Sequence, residues 1–211
     1  MTKNSASAAV PTPNAFGVTW DYRCPFARNA HEHIITAIEG GTRFDVTWVP
    51  LSLSEMHIEE GEPSVFDDPG KRNGLLATEV GLVVRDRFPD HWLGVHRALF
   101  ALRHDESGDL RDREELRGVL ARRNLDPDEV FAEVDSGWPL DTFRKEHEAA
   151  VRDYSAWGVP TFLVGDQAAF VRLMTRPNGD AGQATRTIEH VLRLFAEVPE
   201  LNEFKYTSIP N

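Results

Sequence analysis

The chain is most informative in what it lacks. Of 211 residues only one, Cys24, is a cysteine. That excludes an internal disulfide framework, an iron–sulfur cluster and any cysteine-rich zinc site. No stretch approaches about 18 consecutive apolar residues, so no membrane span is encoded. The opening, MTKNSASAAVPTPNA, has no apolar run of signal-peptide length, and residues 1–14 read as a disordered tail on a cytoplasmic protein. Positive charge is scarce: 23 Lys and Arg stand against 34 Asp and Glu, a formal charge of −11. A concentrated basic surface is therefore not expected, and neither is nucleic-acid binding. No glycine-rich phosphate loop, nucleophile elbow or dinucleotide fingerprint occurs. The histidines are also badly spaced for a metal. His31 and His33 miss the i, i+4 spacing of a shared helix face, as do His91 and His96. His96, on an apolar stripe with Trp92 and Leu99, reads as a hydrogen-bonded core histidine, and no metal site is expected.

What is present has a clear order. Phe16–Trp20 is short, apolar and rich in β-formers, and predicts a buried strand. Cys24-Pro25-Phe26-Ala27 follows, then Ala27, Ala30, Ile34, Ile35 and Ile38 at helical spacing, stopped by Gly40-Gly41. Residues 44–49 alternate and predict a second strand. Residues 55–70 carry Gly61, Pro63, Pro69 and Gly70 and read as an irregular loop. From Lys71 to Tyr154 the pattern is helical, with helices expected over 111–123, from Pro127 behind an Asp126 cap, and over 140–157 closed by Gly158. Two β-rich runs, 160–164 and 168–173, flank a Gly165-Asp166 turn and predict a hairpin. A helix over 181–197 closes the pattern.

Without the helical block, the remainder is strand–helix–strand followed by helix–strand–strand–helix. The first crossover implies two parallel strands, and the hairpin adds antiparallel neighbours. This is an α/β chain with a thioredoxin-like fold and a large all-helical insertion. The thioredoxin-like part takes residues 15–54 and 141–198, the insertion 55–140, and a surface extension 199–211.

WDYRCPFARNA, followed far downstream by WGVPTFLVGDQAAF, resembles the DsbA-like branch of the thioredoxin superfamily. More closely, it resembles the actinobacterial DsbA-like proteins that work with the small thiol mycothiol. The resemblance spans about residues 15–205. It implies that Cys24 is the nucleophile of a thiol–disulfide oxidoreductase, and that Val159-Pro160 is a cis peptide facing it. The exposed backbone of Val159 would then pair with an incoming ligand as an added strand does. Asp21 matches an acidic residue at the end of the first strand, either relaying protons to Cys24 or capping the helix. Pro25, Phe26, Ala27 and Trp157 complete the thiol-binding set, although Phe26 and Trp157 are expected to pack in the core.

Elementary chemistry points the same way. A cysteine between a strand and a helix meets unpaired backbone N–H groups and the positive helix end, with Arg23 and Arg28 adding charge. Thiols in such places fall from about 8.5 to roughly 3.5–7.5, so a lowered Cys24 pKa is expected. One departure matters most: Ala27 stands where the family has its second cysteine. A dithiol enzyme resolves its mixed disulfide with that second thiol; Ala27 cannot. The site is then monothiol, with mycothiol or glutathione as an external co-substrate rather than a tightly bound cofactor. Its partners would be a small thiol and a small-molecule or protein disulfide, and a homodimer is possible. The alternatives are an enzyme like the kappa-class glutathione transferases and 2-hydroxychromene-2-carboxylate isomerases, or a non-catalytic binding protein on the same fold. Residues between Leu51 and Arg72 and around Trp92 are expected to line the substrate, without distinctive chemistry.

Overall fold

The architecture was obtained as a computed structural model that describes residues 14–207. The disordered tail expected over 1–14 and the last four residues of the expected extension fall almost wholly outside them. Strand β1 (Ala15–Trp20) pairs in parallel with β2 (Asp45–Pro50) across helix α1 (Pro25–Glu39). Strand β3 (Thr161–Val164) lies antiparallel to β1, and β4 (Gln167–Phe170) antiparallel to β3, giving the order β2-β1-β3-β4. The closing helix α9 (Ala181–Glu197) packs on α1. This is a thioredoxin-like sheet.

Between β2 and β3 comes the helical insertion. Its main helices are α4 (Leu76–Arg87), α5 (Trp92–His104), α6 (Arg113–Ala121) and α7 (Pro127–Asp135); α8 (Trp138–Tyr154) follows and leads into β3 as the helix of the thioredoxin-like half. Residues 55–70 are not wholly irregular. A one-turn helix, α2 (Leu53–Met56), starts on the Ser52 cap, and α3 (Pro69–Arg72) starts on Asp68 with Pro69 in its first turn. Each is too short to show a hydrophobic period, so only its cap marks it.

Other boundaries shift for local reasons. Helix α6 begins at Arg113 because the Asp112 carboxylate accepts the N–H groups of Glu114 and Glu115. Helix α8 stops at Tyr154, not at Gly158. Ser155 turns left-handed (φ 52°), and the Ala156 N–H then reaches back to the Ala150 carbonyl. Strand β4 ends at Phe170, three residues early, after which one further bond joins the Val171 N–H to the Pro160 carbonyl.

The core explains the pattern. Helix α1 buries Ala27, Ala30, Ile34 and Ile35 against the sheet, where a fully buried isoleucine contributes about 1.5–3 kcal/mol. Trp20 and Trp48 are buried, as expected, and Trp20 lies 5.6 Å from Trp92 of α5. Trp92 is itself only 5% exposed, so it packs the core and lines no substrate. Tyr22 lies against α4 so closely that a Cβ at Gly81 would come 2.5 Å from its hydroxyl oxygen. The turn after β1, which ends at Cys24, is thus clamped between sheet and insertion.

Candidate active site

The turn Asp21–Cys24 is tied by the Cys24 N–H donating to the Asp21 carbonyl at 3.0 Å. Cys24 is the cap of α1, with extended backbone, and Pro25 takes the first helical position, where its missing N–H costs nothing. The Cys24 Sγ accepts the Ala27 N–H at 3.4 Å and donates to the Val159 carbonyl at 3.3 Å. The Val159–Pro160 peptide is cis. Hydroxyls hold that turn on β1. The Thr161 N–H donates to Thr19 Oγ1 at 2.8 Å, while the Thr19 and Thr161 hydroxyls both donate to the Gly158 carbonyl. Cys24, Ala27, Val159 and Pro160 therefore meet at one point.

The electrostatics differ from the expectation. Cys24 is only 8% exposed, and burial pushes its thiol up from the ordinary value. The Ala27 and Phe26 N–H groups pull it down, the Asp21 carboxylate pushes it up, and Arg172 pulls it down. Desolvation outweighs the helix end. The bond to Val159 also requires the proton to stay on sulfur. Nor do the two anticipated arginines serve the thiol. Arg23 is held by the Asp21 carboxylate and by Ser54, and Arg28 pairs with Asp105. The cation whose charge acts on Cys24 is Arg172, its guanidinium over the Phe26 ring at 5.2 Å and the Phe170 ring at 5.8 Å. Nothing local in the sequence marks it.

Asp21 is a buried junction. Its carboxylate accepts the N–H of Arg23 at 2.9 Å and of Leu53 at 3.0 Å, as well as the Arg23 guanidinium. It thereby joins the Asp21–Cys24 turn to α2 and does not cap α1. Val159 is 2% exposed and its carbonyl is taken by the thiol, so its backbone is not simply open to a ligand. Trp157, expected in the core, is 64% exposed, its ring 4.5 Å from that of Phe170. It follows the end of α8 and sits outside the sheet's packed layer. Phe26 is half-buried beneath Arg172.

Behind the turn runs a buried polar chain that sequence reading missed, apart from the placing of His96 in the core. Tyr22 Oη lies 2.7 Å from His96 Nδ1, His96 Nε2 lies 2.8 Å from His31 Nδ1, and His31 Nε2 lies 3.2 Å from the Thr19 carbonyl. A carbonyl only accepts, so His31 Nε2 carries hydrogen. Burial holds His31 down to about 3 and His96 well below its ordinary value, so both rings are neutral. The order is then forced: His96 Nε2 donates to His31, and the Tyr22 hydroxyl donates to His96. The chain joins β1 and α1 to α5.

A family model described as a DSBA-like thioredoxin domain matches residues 18–175. The chain belongs to the DsbA-like thioredoxin family. Among solved structures, DsbA of Pseudomonas aeruginosa is 19% identical, with 92% of this chain and 90% of that one covered and a TM-score of 0.56. A 2-hydroxychromene-2-carboxylate isomerase is 13% identical, covering 87% and 98%, with a TM-score of 0.60. Oxidised BdbD of Bacillus subtilis is 17% identical, covering 85% and 87%, with a TM-score of 0.56. At these identities the likeness is one of fold. No curated protein matches the sequence. Among the described residues no helix is long and apolar enough to cross a membrane, and no cluster of three or more His, Cys, Asp or Glu could hold a metal. Within this DsbA-like frame, Cys24 is the one thiol at the site.

Proposed function

We propose that the protein is a monothiol member of the DsbA-like family, acting in the cytoplasm on a disulfide with mycothiol or glutathione as external co-substrate. The observation that carries this reading is the convergence on one sulfur of the Ala27 N–H and the Val159 carbonyl, with alanine where a resolving thiol would stand. Once ionised, Cys24 attacks a disulfide RS–SR. A Cys24–SR bond forms, the old S–S bond breaks and one RS⁻ leaves. An external small thiol R′SH, as its thiolate, then attacks the R sulfur: an RS–SR′ bond forms, the Cys24–SR bond breaks and Cys24 leaves as the thiolate. A raised thiol suits this exchange better than oxidation. A strong oxidant stabilises its reduced thiolate, and here burial and Asp21 oppose that.

The test is intact-mass analysis after exposure to glutathione disulfide and to mycothiol disulfide over pH 6–9. One thiol's mass should add to the wild type and none to Cys24→Ser. No adduct anywhere in that range, with slow alkylation of Cys24, ends the reading.

A second reading has its own support. A Cys24 that keeps its proton can donate a hydrogen bond to a bound external thiolate, as a serine would, so the bound thiol becomes the reactant. The isomerase shares the fold with the highest TM-score of the three structures described above. Cys24→Ser separates the two: it ends the exchange chemistry and preserves thiol-positioning activity.

A further inference from the structure

Beside the Asp21–Cys24 turn, a cleft of about 820 Å³ opens between α2, α3 and the end of α5. That volume lies within the range of small-molecule sites. Its floor is apolar, formed by Ile58 and by the buried Val65 and Leu110. Its rim inverts the charge of the chain. In a protein of formal charge −11, the cleft lining carries Arg23, Lys71, Arg103 and Arg111 against Glu62 and Asp109.

These cations are not equally free. Arg23 is held by Asp21 and Ser54. Lys71 pairs with Glu62 and Arg111 with Asp109, both in half-exposed geometry where such pairs hold weakly. Arg103 makes no hydrogen bond and no contact ion pair among the described residues; its charge reaches Asp109 only from beyond ion-pair distance, and Asp109 is itself held by Arg111. A cation without a contact ion pair, in a lining with four basic residues against two acidic ones and an apolar floor, is complementary to a molecule with an apolar body and one acidic group.

We propose that this cleft binds a small amphipathic anion, its apolar body on Ile58, Val65 and Leu110 and its carboxylate or sulfonate on Arg103, with Arg111 secondary. Arg23 lines the cleft and directly precedes Cys24, so the occupant sits beside the turn that carries the thiol, in a lining that does not include the cis peptide. The site stands apart from the thiol-exchange reading, because no step of it uses the Cys24 sulfur.

The probe is 8-anilinonaphthalene-1-sulfonate, followed by fluorescence, with N-phenyl-1-naphthylamine as its uncharged counterpart. Wild type should bind the sulfonate saturably at one site. Arg103→Gln should weaken it about tenfold, Arg103→Lys should largely restore it, and the uncharged dye should bind both alike. Cys24→Ser should leave all of this unchanged, so failure of the thiol reading and failure of this one are told apart. Absence of saturable binding, or equal affinity in Arg103→Gln, overturns the proposal. So does loss of affinity in Arg172→Gln but not in Arg103→Gln, which would place the dye on the Trp157–Phe170 face instead.

Discussion

The thioredoxin half and the helical insertion each bury an acidic group, on different terms. Cys24 is desolvated but met by a donor, Ala27 N–H, and an acceptor, the Val159 carbonyl. Glu79, on α4, is 2% exposed, and its Oε2 has no hydrogen-bond partner; the Arg72 guanidinium stands off at 3.9 Å. Burial is the larger cause, and it raises Glu79 to about 7 from an ordinary 4.5. Similar desolvation thus has two outcomes. In one half the buried group is met by a donor and an acceptor; in the other one carboxylate oxygen is left unpaired and its burial is a cost to stability.

Where the halves meet, the Tyr22–His96–His31 chain should show the largest loss. His96→Phe removes the shared partner, leaving the Tyr22 hydroxyl and His31 Nδ1 buried and unpaired. Unfolding free energy in urea should fall by about 2–4 kcal/mol. A change under about 0.5 kcal/mol would mean that the halves are held by apolar packing alone. The contrast between them would then rest on Cys24 and Glu79 only.

Glu79→Gln tests the insertion side. A carboxyl whose folded pKa is raised binds its proton more tightly folded than unfolded. Its favourable contribution is therefore complete below about pH 4.5 and is lost as pH rises to about 7. The glutamine side chain carries no such charge, so the variant should be more stable than wild type by about 1–3 kcal/mol at pH 8 and by much less at about pH 5. Equal effects at both pH values would break the comparison, because Glu79 would then not be paying for its burial as an anion.

The difference between halves also decides what could be read from the chain alone. The thioredoxin strands are short and apolar, their turns carry Gly40-Gly41 and Gly165-Asp166, and Cys-Pro and Val-Pro-Thr flag the two lips of the site. All of that is local, and it was legible. The cleft was legible in part: half of its lining falls in the stretch between Leu51 and Arg72 expected to face a substrate, but its charge was not, because only the tertiary fold brings Arg23, Arg103 and Arg111 to Lys71. The raised thiol was missed for a related reason. Helix-end and arginine effects are visible in sequence, but the burial of Cys24 and the pairing of Arg23 and Arg28 with carboxylates are not. Trp157 misled because a tryptophan beside a strand usually packs inward, whereas here it follows the left-handed end of α8.

Asp21 and Arg172 act on the same sulfur with opposite sign. Asp21→Asn removes a carboxylate that disfavours the thiolate and frees the Arg23 charge beside it. The apparent pKa of Cys24, read from iodoacetamide alkylation against pH, should fall by roughly half to one pH unit. Alkylation at neutral pH should quicken several-fold. A rise would instead make the Asp21 junction, through Leu53 and Arg23, the scaffold that holds the Ala27 N–H on the sulfur.

Arg172→Gln should act the other way and more weakly, because the guanidinium is exposed to solvent and screened. The apparent pKa should rise by about a few tenths of a unit, and the rise should shrink as salt is added. Arg172→Lys keeps the charge but stacks less well on Phe26 and Phe170, so it should lie between. The double variant decides whether these are field effects. Two charges acting independently on the thiol should give shifts that add, leaving the double variant between the single variants and nearer to Asp21→Asn. If Asp21→Asn instead makes Arg172→Gln silent, the cation acts by ordering Phe26 over the turn. The open side of the thioredoxin half would then be held by packing, as the insertion is, and not by charge.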